Sequence, residues 1–545
     1  MKPNWVNAIT LSITALFVAA CSPALPPEHN GVLYCAEGNP ESFNPQLVTS
    51  GTTLDMTSAQ LFDRLLEYNN DTQDFEPALA TAWEVSNNGL VYEFELRQNV
   101  SFHSTDYFTP SRSFNANDVV FSFNRWLQPN HPFHLVSGGN YPFFSATRLD
   151  RLILSVEALN SHRIRITLRE PDSSLLSILA SNFSVMHSQE YAQQMLEAGT
   201  PEHVDQFPVG TGPFYFRHFR KDVAVNYSAH EHYWKTRAAT DNIVFRITTN
   251  DHKRMLMLLT GDCDISPYPP ARDVEWLDQR RDIQLQRSLS PNTAFWAFNT
   301  ERVPFNDARV RQALAHAINR ESLIRTVYHE HAVIANSILP DSSWAHRAYP
   351  SAYAYDPQRA RELLAEAGYE NGFSMTIWAL PVQRAYNPNA RVMAEQMQSY
   401  LAQVGVTAQI ISYEWSTFRR DLAAGQHDSV LIGWSADHAD PDNFFRPLLT
   451  CAAKASGNNR AQWCNSDFDE AVTAAIRSNN QRERRAHYYL AQQILSEHVP
   501  IVPLAHSIRF QAAAADIRGL KPPTFGGIRL QSVYKEPQNK QERMP

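Results

Sequence analysis

Phe373-Ser-Met-Thr-Ile-Trp-Ala-Leu380 is rich in aromatic, aliphatic and β-branched side chains and reads as a buried strand. Across Asn389–Val404 the apolar residues Met393, Met397, Tyr400, Leu401 and Val404 fall on one helical face, and Val406-Thr-Ala-Gln-Ile-Ile-Ser-Tyr413 then reads as a second strand. Strand, amphipathic helix and strand in this order form a βαβ crossover, so the two strands lie parallel in one sheet. A short helix near Thr417–Ala424 leads to the apolar run Val430-Leu431-Ile432, a third parallel strand. This decides the class as α/β.

Loops that follow parallel strands meet at the carboxyl edge of the sheet, where α/β proteins hold ligands. Arg384 and Tyr386 follow the first strand; Gly433-Trp434-Ser-Ala-Asp437-His-Ala-Asp440-Pro-Asp442-Asn-Phe-Phe445 follows the third. Asp440-Pro441 reads as the N-cap and first turn of a short helix, with Asp442 favoured by its dipole. Asp437 lies outside that cap and needs another role. A guanidinium at 384 and a carboxylate at 437 can grip a ligand carrying both charges, Arg384 on a carboxylate and Asp437 on an ammonium, with Tyr386, Trp415 and Trp434 as walls. The plainer alternative pairs the two with each other or leaves them in water.

Working outward, Asn306 or Asp307 caps a helix carrying Val310, Ala313, Leu314, Ala317 and Ile318 on one stripe, and Asp356-Pro357 opens another that Gly368 closes. Helices follow from Ser466 and across Asn480–His498, and Val499–Ala505, with Pro500 and Pro503, reads as an edge strand or crossing segment. Between about 75 and 190 the pattern changes to short elements, with strands at Val91–Leu96 and Arg163–Leu168 and a helix capped by Asn117 that carries Val119, Val120, Phe123 and Trp126. This segment reads as a small unit of its own. Pro208–Phe214 is a stiff turn rather than a phosphate loop, since no helix start follows it. Near the start, Val32–Cys35 reads as a strand, Ser50-Gly51-Thr52-Thr53 as a loop rich in hydrogen-bond donors, and Thr57–Leu66 as a helix.

Composition narrows the function classes. The 545 residues, with 43% hydrophobic, 19% charged and a mean hydropathy of −0.39, describe a soluble globular chain of several domains. Lys and Arg total 48 against 56 acids, and no basic run follows a phosphate backbone, which argues against nucleic acid. Lys2 before an apolar stretch from Ala8 to Ala20 marks residues 1–20 as an export signal. Val18-Ala19-Ala20-Cys21 resembles a lipobox, so Cys21 is the expected lipid-bearing residue and 21–31, with three prolines, a tether. Four further cysteines in an oxidising compartment allow three pairings; Cys451 and Cys464 are near in sequence, leaving Cys35 and Cys263, while a zinc site lacks Cys-x-x-Cys spacing. No Gly-x-Ser-x-Gly or His-Glu-x-x-His motif points to an enzyme. His230/His232 and His329/His331 lie outside the two loops, and no resident metal or cofactor is expected.

Several motifs in one order carry a resemblance: Val32–Gly38, Asn44-Pro-Gln-Leu47, Gly51-Thr52-Thr53, Asn117–Phe123, Val209–Phe214, Val310-Arg-Gln-Ala-Leu314, Pro381–Arg384 with Tyr386–Arg391, and Asp440–Phe445. Over essentially the whole mature chain these resemble the large periplasmic solute-binding proteins of peptide ABC importers, in particular the dipeptide-binding and SapA-type members of family 5. Leu258-Leu-Thr-Gly261, Ser337–Pro340 and Phe445–Leu449 are nearer the SapA type, while Pro381–Arg384 follows the dipeptide-binding pattern. The resemblance implies a two-lobe periplasmic-binding-protein fold (type II, cluster C) with a hinge and an added α+β domain. Its parts would be lobe I at 32–60, 190–290 and 506–545, domain II at 61–189, and lobe III at 291–505. It also implies disulfides Cys35–Cys263 and Cys451–Cys464, a peptide carboxylate on Arg384 and its amino group on Asp437. The backbone near Gly51, Thr52 and Thr53 would continue the peptide's hydrogen bonding. The partners implied are a short peptide, or haem or an antimicrobial peptide as alternative cargo, and an inner-membrane permease with its ATPase. The protein would be a non-enzymatic monomer on the periplasmic side of a Gram-negative envelope, touching the membrane only through Cys21.

Overall fold

A computed structural model describes residues 31–69 and 71–537. The export segment, Cys21 and the tether up to residue 30 lie outside the described residues. The chain builds three main sheets. The largest runs in the order Ile283–Ser288, Arg509–Ala514, Ile265–Pro267, Gly31–Ala36, Asn242–Ile247, Ala224–Ala229, Phe214–Arg220. A four-stranded antiparallel sheet joins Ala80–Val85, Val91–Leu96, Arg163–Leu168 and Ile153–Asn160.

The six-stranded sheet holds the expected βαβ unit. Its order is Ala332–Ile334, Ile501–Ser507, Asn292–Phe298, Ser429–Ser435, Phe373–Ala379, Val406–Ile411. The last three strands are parallel, and the crossover helix Ala390–Ala402 is capped by Asn389, whose side chain accepts from the Val392 amide. Met393, Met397 and Leu401 on that helix are buried in the core with Ile377 and Val430. Full burial of side chains of this size contributes about 1.5–3 kcal/mol each.

Two disulfides are present, Cys35–Cys263 and Cys451–Cys464. The first joins the strand Gly31–Ala36 to the turn just before its neighbour Ile265–Pro267, since Tyr34 pairs with Ile265; the second ties the helix Cys451–Ala455 to the chain just before Ser466–Arg477.

Four local readings change. The helix placed at Thr57–Leu66 runs instead over Gly51–Leu61, so Gly51–Thr53 form its first turn rather than a loop. The helix assigned to an Asn117 cap is capped by Asn115, which forms a reciprocal capping box with Asp118. Ile501–Ser507 is no edge strand: it pairs on both sides and all seven residues are buried. Pro503 is accommodated there because the register shifts between Ala294 and Phe295, opposite Ala505 and Pro503. Finally, the helix after Asp440-Pro441 starts at Asp442, yet Asp440 still caps it through Oδ1, which accepts from the Asp442 amide at 3.0 Å.

Among the described residues the chain crosses between the two large sheets twice, at 289–291 and at 508, because Ile283–Ser288 leads into Asn292–Phe298 and Ile501–Ser507 into Arg509–Ala514. Two short adjacent crossings are the geometry of a hinge.

Candidate functional site

Ala379 pairs with Leu431 in parallel register, so the loops that follow these strands leave the same sheet edge. What locks them together is a backbone approach. A Cβ on Gly433 would lie 2.4 Å from Tyr386 Cδ2 and 2.4 Å from the Thr293 carbonyl, so only glycine admits the Tyr386 ring. The Tyr386 carbonyl accepts from the Tyr328 hydroxyl at 2.8 Å, and Arg384 and Asn387 exchange two backbone hydrogen bonds of 3.1 Å. Ser507 Oγ donates to the Ala385 carbonyl at 2.6 Å, tying this loop to the strand that runs into one crossing. Arg384 is exposed at the lip, its Nη1 donating to the Gln383 carbonyl at 3.0 Å.

Asp437 sits on the other loop. Its side chain keeps part of its surface open, yet desolvation pushes its carboxyl up to about 7, opposed by contact with Asn443. No ion pair joins Asp437 to Arg384 or to another cation among the described residues, in contrast to its neighbours. Asp440 accepts from Arg484 Nη2 at 2.7 and 2.9 Å and from the Tyr488 hydroxyl at 3.2 Å. Asp442 binds Arg446, which reaches onward to Asp172 at 2.7 Å and Ser174 at 2.9 Å beside the four-stranded sheet. Two of the three acids are therefore structural, and Asp437 alone keeps an unspent charge.

Asn443 is the residue that sequence reading missed. Its Oδ1 accepts from Trp434 Nε1 at 2.8 Å and from the Asp437 amide at 3.0 Å, while its own amide donates to the Asp440 carbonyl at 3.1 Å. One amide side chain fixes both ends of the Trp434–Asp437 turn. The available signal was a polar residue between apolar ones on a short buried helix, Asp442-Asn443-Phe444-Phe445.

The helix Gly51–Leu61 belongs to the other large sheet, with Met56 and Leu61 buried in its core. Its N-cap Ser50 makes no side-chain cap bond, which leaves first-turn amides to other acceptors. Thr52 Oγ1 donates to Glu37 at 2.7 Å, and Thr53 is buried with Oγ1 accepting from the Glu41 amide at 2.9 Å, so Gly51 is the exposed member of the three. Beside it the Arg509 guanidinium lies 4.9 Å from the Tyr268 ring centre and 3.7 Å from Asp55. Burial raises the Tyr268 phenol, and Arg509, with Arg384 more weakly, opposes that rise. Of the walls expected from sequence, Tyr386 and Trp434 are thus placed; the Trp415 side chain lies outside the described residues.

No helix among the described residues is long and apolar enough to cross a membrane. Residues 74–456 match the family described as bacterial extracellular solute-binding proteins, family 5 Middle. The chain is 38% identical over 536 residues to a dipeptide-binding protein of Escherichia coli K12, covering 98% of this chain and 99% of that one. It is 40% identical over 530 residues to heme-binding protein A of Haemophilus influenzae, covering 95% and 97%. A crystal structure of a dipeptide-binding protein from Pseudoalteromonas sp. SM9913 in complex with Met-Leu superposes with a TM-score of 0.85 at 44% identity, over 93% of this chain and 100% of that one.

Proposed function

This chain belongs to the bacterial extracellular solute-binding proteins of family 5, and we propose that it is the extracytoplasmic binding component of an ABC importer for short, dipeptide-like ligands. The observation that carries the reading is the placing of an exposed guanidinium and a carboxylate without an ion pair among the described residues on two loops of one sheet edge. A zwitterionic peptide fits that frame, with its ammonium on Asp437, its carboxylate on Arg384, Tyr386 and Trp434 along its sides, and backbone donors near Gly51–Thr53 on its main chain. The process is capture without covalent chemistry. Lobe closure about the crossings at 289–291 and 508 removes water from both charge pairs, which strengthens them, and presents an altered surface to an inner-membrane permease with its ATPase. Lobe I is assigned to 32–60, 190–290 and 506–545, domain II to 61–189 and lobe III to 291–505.

The test is calorimetry with free, N-acetylated and C-amidated dipeptides. Each block strands a buried charge, so each should weaken binding by about 2–5 kcal/mol. Equal affinity for free and doubly blocked peptides refutes the reading. For delivery, we assign residues 1–20 as an export signal and Cys21 as the lipid-bearing residue of a periplasm-facing monomer. Mass spectrometry should find diacylated Cys21, lost in Cys21→Ser, and a lipid-free mature protein would refute that assignment.

The likeness to heme-binding protein A supports haem as a second cargo. A Soret band on adding haem that a dipeptide abolishes would place haem in this cleft, and no band would exclude this cargo.

A further inference from the structure

The four-stranded sheet lies, in sequence, between Gly31–Ala36 and Phe214–Arg220, so both ends of its chain lead to the seven-stranded sheet. Buried polar contacts hold it there. Arg125 pairs with Asp205 at 2.6 and 2.8 Å, and Asp205 also accepts from Asn44 Nδ2 at 2.9 Å. The Gly210 amide donates to His103 Nδ1 at 3.1 Å. A rotation about the crossings at 289–291 and 508 therefore carries this sheet with the seven-stranded one, and any contact it makes with the six-stranded part spans the moving boundary.

Among the described residues, the hydrogen bonds between 61–189 and 291–505 converge on one segment, 170–174, just after the strand Arg163–Leu168. Arg446 reaches Asp172 at 2.7 Å and Ser174 Oγ at 2.9 Å. The Ser173 amide and hydroxyl both donate to the Ile476 carbonyl at 2.8 Å, in the last turn of the helix Ser466–Arg477, where a carbonyl has no partner within its helix. Arg477 meets Glu170 at 2.9 Å, but both are half exposed and contribute little.

Each half of this contact is held ready by its own side. Asp172 Oδ1 accepts from the Ser174 amide at 2.9 Å and its hydroxyl at 2.6 Å, and the Asp172 carbonyl accepts from the Tyr92 hydroxyl at 3.2 Å. Arg446 Nε donates to Asp442 at 2.6 Å, one turn earlier on the same helix. If the two sides part, Arg446 keeps Asp442, Asp172 keeps Ser174, and water takes up the Ile476 carbonyl, so neither charge is stranded. An ion pair built only for core stability has no need of such separate supports, whereas a contact that forms and breaks does.

We propose that segment 170–174 is a closure latch, through which the four-stranded domain grips Arg446 and Ile476 when the cleft shuts and so slows release of the bound peptide. This rests on the peptide-binding reading and assigns the domain a task in it: Asp172 acts on the ligand only through the closed population, as a positioning residue remote from the charge frame.

The experiment uses the full-length mature protein with Ala-Ala as probe, release and association being followed by stopped-flow tryptophan fluorescence and affinity by calorimetry. Asp172→Asn, which leaves Arg446 with Asp442, should raise the release rate about tenfold and leave the association rate unchanged. Arg446→Lys should act in the same direction, and the double variant should release peptide no faster than the faster single one, because both changes break one contact. Ser173→Ala, which removes only the hydroxyl bond, should give a smaller rise and decides alone if neither charge variant folds. A release rate equal to wild type in Asp172→Asn and Ser173→Ala, with a lower melting temperature of the empty protein, would show a contact present in open and closed forms alike; that result overturns the latch and leaves peptide binding standing. Failure of the wild type to bind any of Ala-Ala, Leu-Ala and Ala-Leu overturns the peptide reading itself and the latch with it.

Discussion

Replacing Asp437 by asparagine should weaken peptide binding and stabilise the empty protein. Burial raises the Asp437 carboxyl from 3.8 to about 7, so the folded chain holds this proton more tightly than the unfolded chain does. The sign follows: any advantage of the protonated group is complete below pH 4 and is lost as pH rises through about 7. Three units at 1.36 kcal/mol each set an upper bound of about 4 kcal/mol on the cost of carrying the charge at pH 8. Partial exposure of the side chain reduces the expected gain in Asp437→Asn to about 1–2 kcal/mol. The Asn443 bond to the residue 437 amide survives, because it uses the main chain. Differential scanning calorimetry without ligand should therefore show the variant melting above wild type at pH 8, with the difference shrinking towards pH 4. Titration with a dipeptide at pH 8 should show affinity lower by about 2–5 kcal/mol. A variant that is less stable when empty at pH 8, or that binds peptide normally, would refute the assignment of Asp437 as a carboxylate held ready for a cation.

The same carboxyl makes wild-type affinity pH-dependent: an ammonium ligand must displace its proton, so binding should weaken towards about tenfold per unit as pH falls below 7, and a flat profile between pH 8 and 5.5 would contradict this. Gly433→Ala forces a methyl into the Tyr386 ring and the Thr293 carbonyl, and should cost about 1–3 kcal/mol of stability together with most of the affinity, read by chemical unfolding and calorimetry. Arg446→Gln leaves Asp172 and Asp442 without their shared cation and should destabilise by about 3–5 kcal/mol, and the double variant with Asp172→Asn should recover part of this loss. Strictly additive losses would show that the bridge between the two parts of the molecule contributes nothing.

The parts of the fold that sequence revealed are those held by local pattern. The βαβ unit was legible because strand runs, a helical stripe and an Asn389 cap all lie within about forty residues of each other. The Gly51–Leu61 helix was placed too late because its first turn, Gly-Thr-Thr, favours loops, while its polar face is held by distant partners. Ser58 donates to the Asn182 carbonyl at 2.7 Å, Gln60 to Ile528 at 2.7 Å, and Asp55 accepts from the Ile528 amide at 2.8 Å. Helix propensity lost to tertiary hydrogen bonds at sequence separations of 124 to 473. The Pro503 strand failed for a related reason: a bulge two strands into a sheet excuses a proline, and no local signal announces it.

The site divides along the same line. That Arg384 and Asp437 share an edge follows from parallel strand order, which sequence supplied. That Asp437 is unspent while Asp440 and Asp442 are consumed does not follow from their chemistry, since all three are the same residue within six positions. It follows from where the cations fall. Arg484 lies 44 residues after Asp440, and Arg446 bridges Asp442 to a residue 274 positions away. Each structural acid is marked by a guanidinium that the fold delivers to it, and Asp437, the acid proposed to face the ligand, by the lack of a delivered ion pair among the described residues. A functional carboxylate of this kind is therefore recognised by subtraction: the sheet edge nominates the candidates, the structural cations remove those already paired, and the remaining charge is the one that a ligand's ammonium can complete.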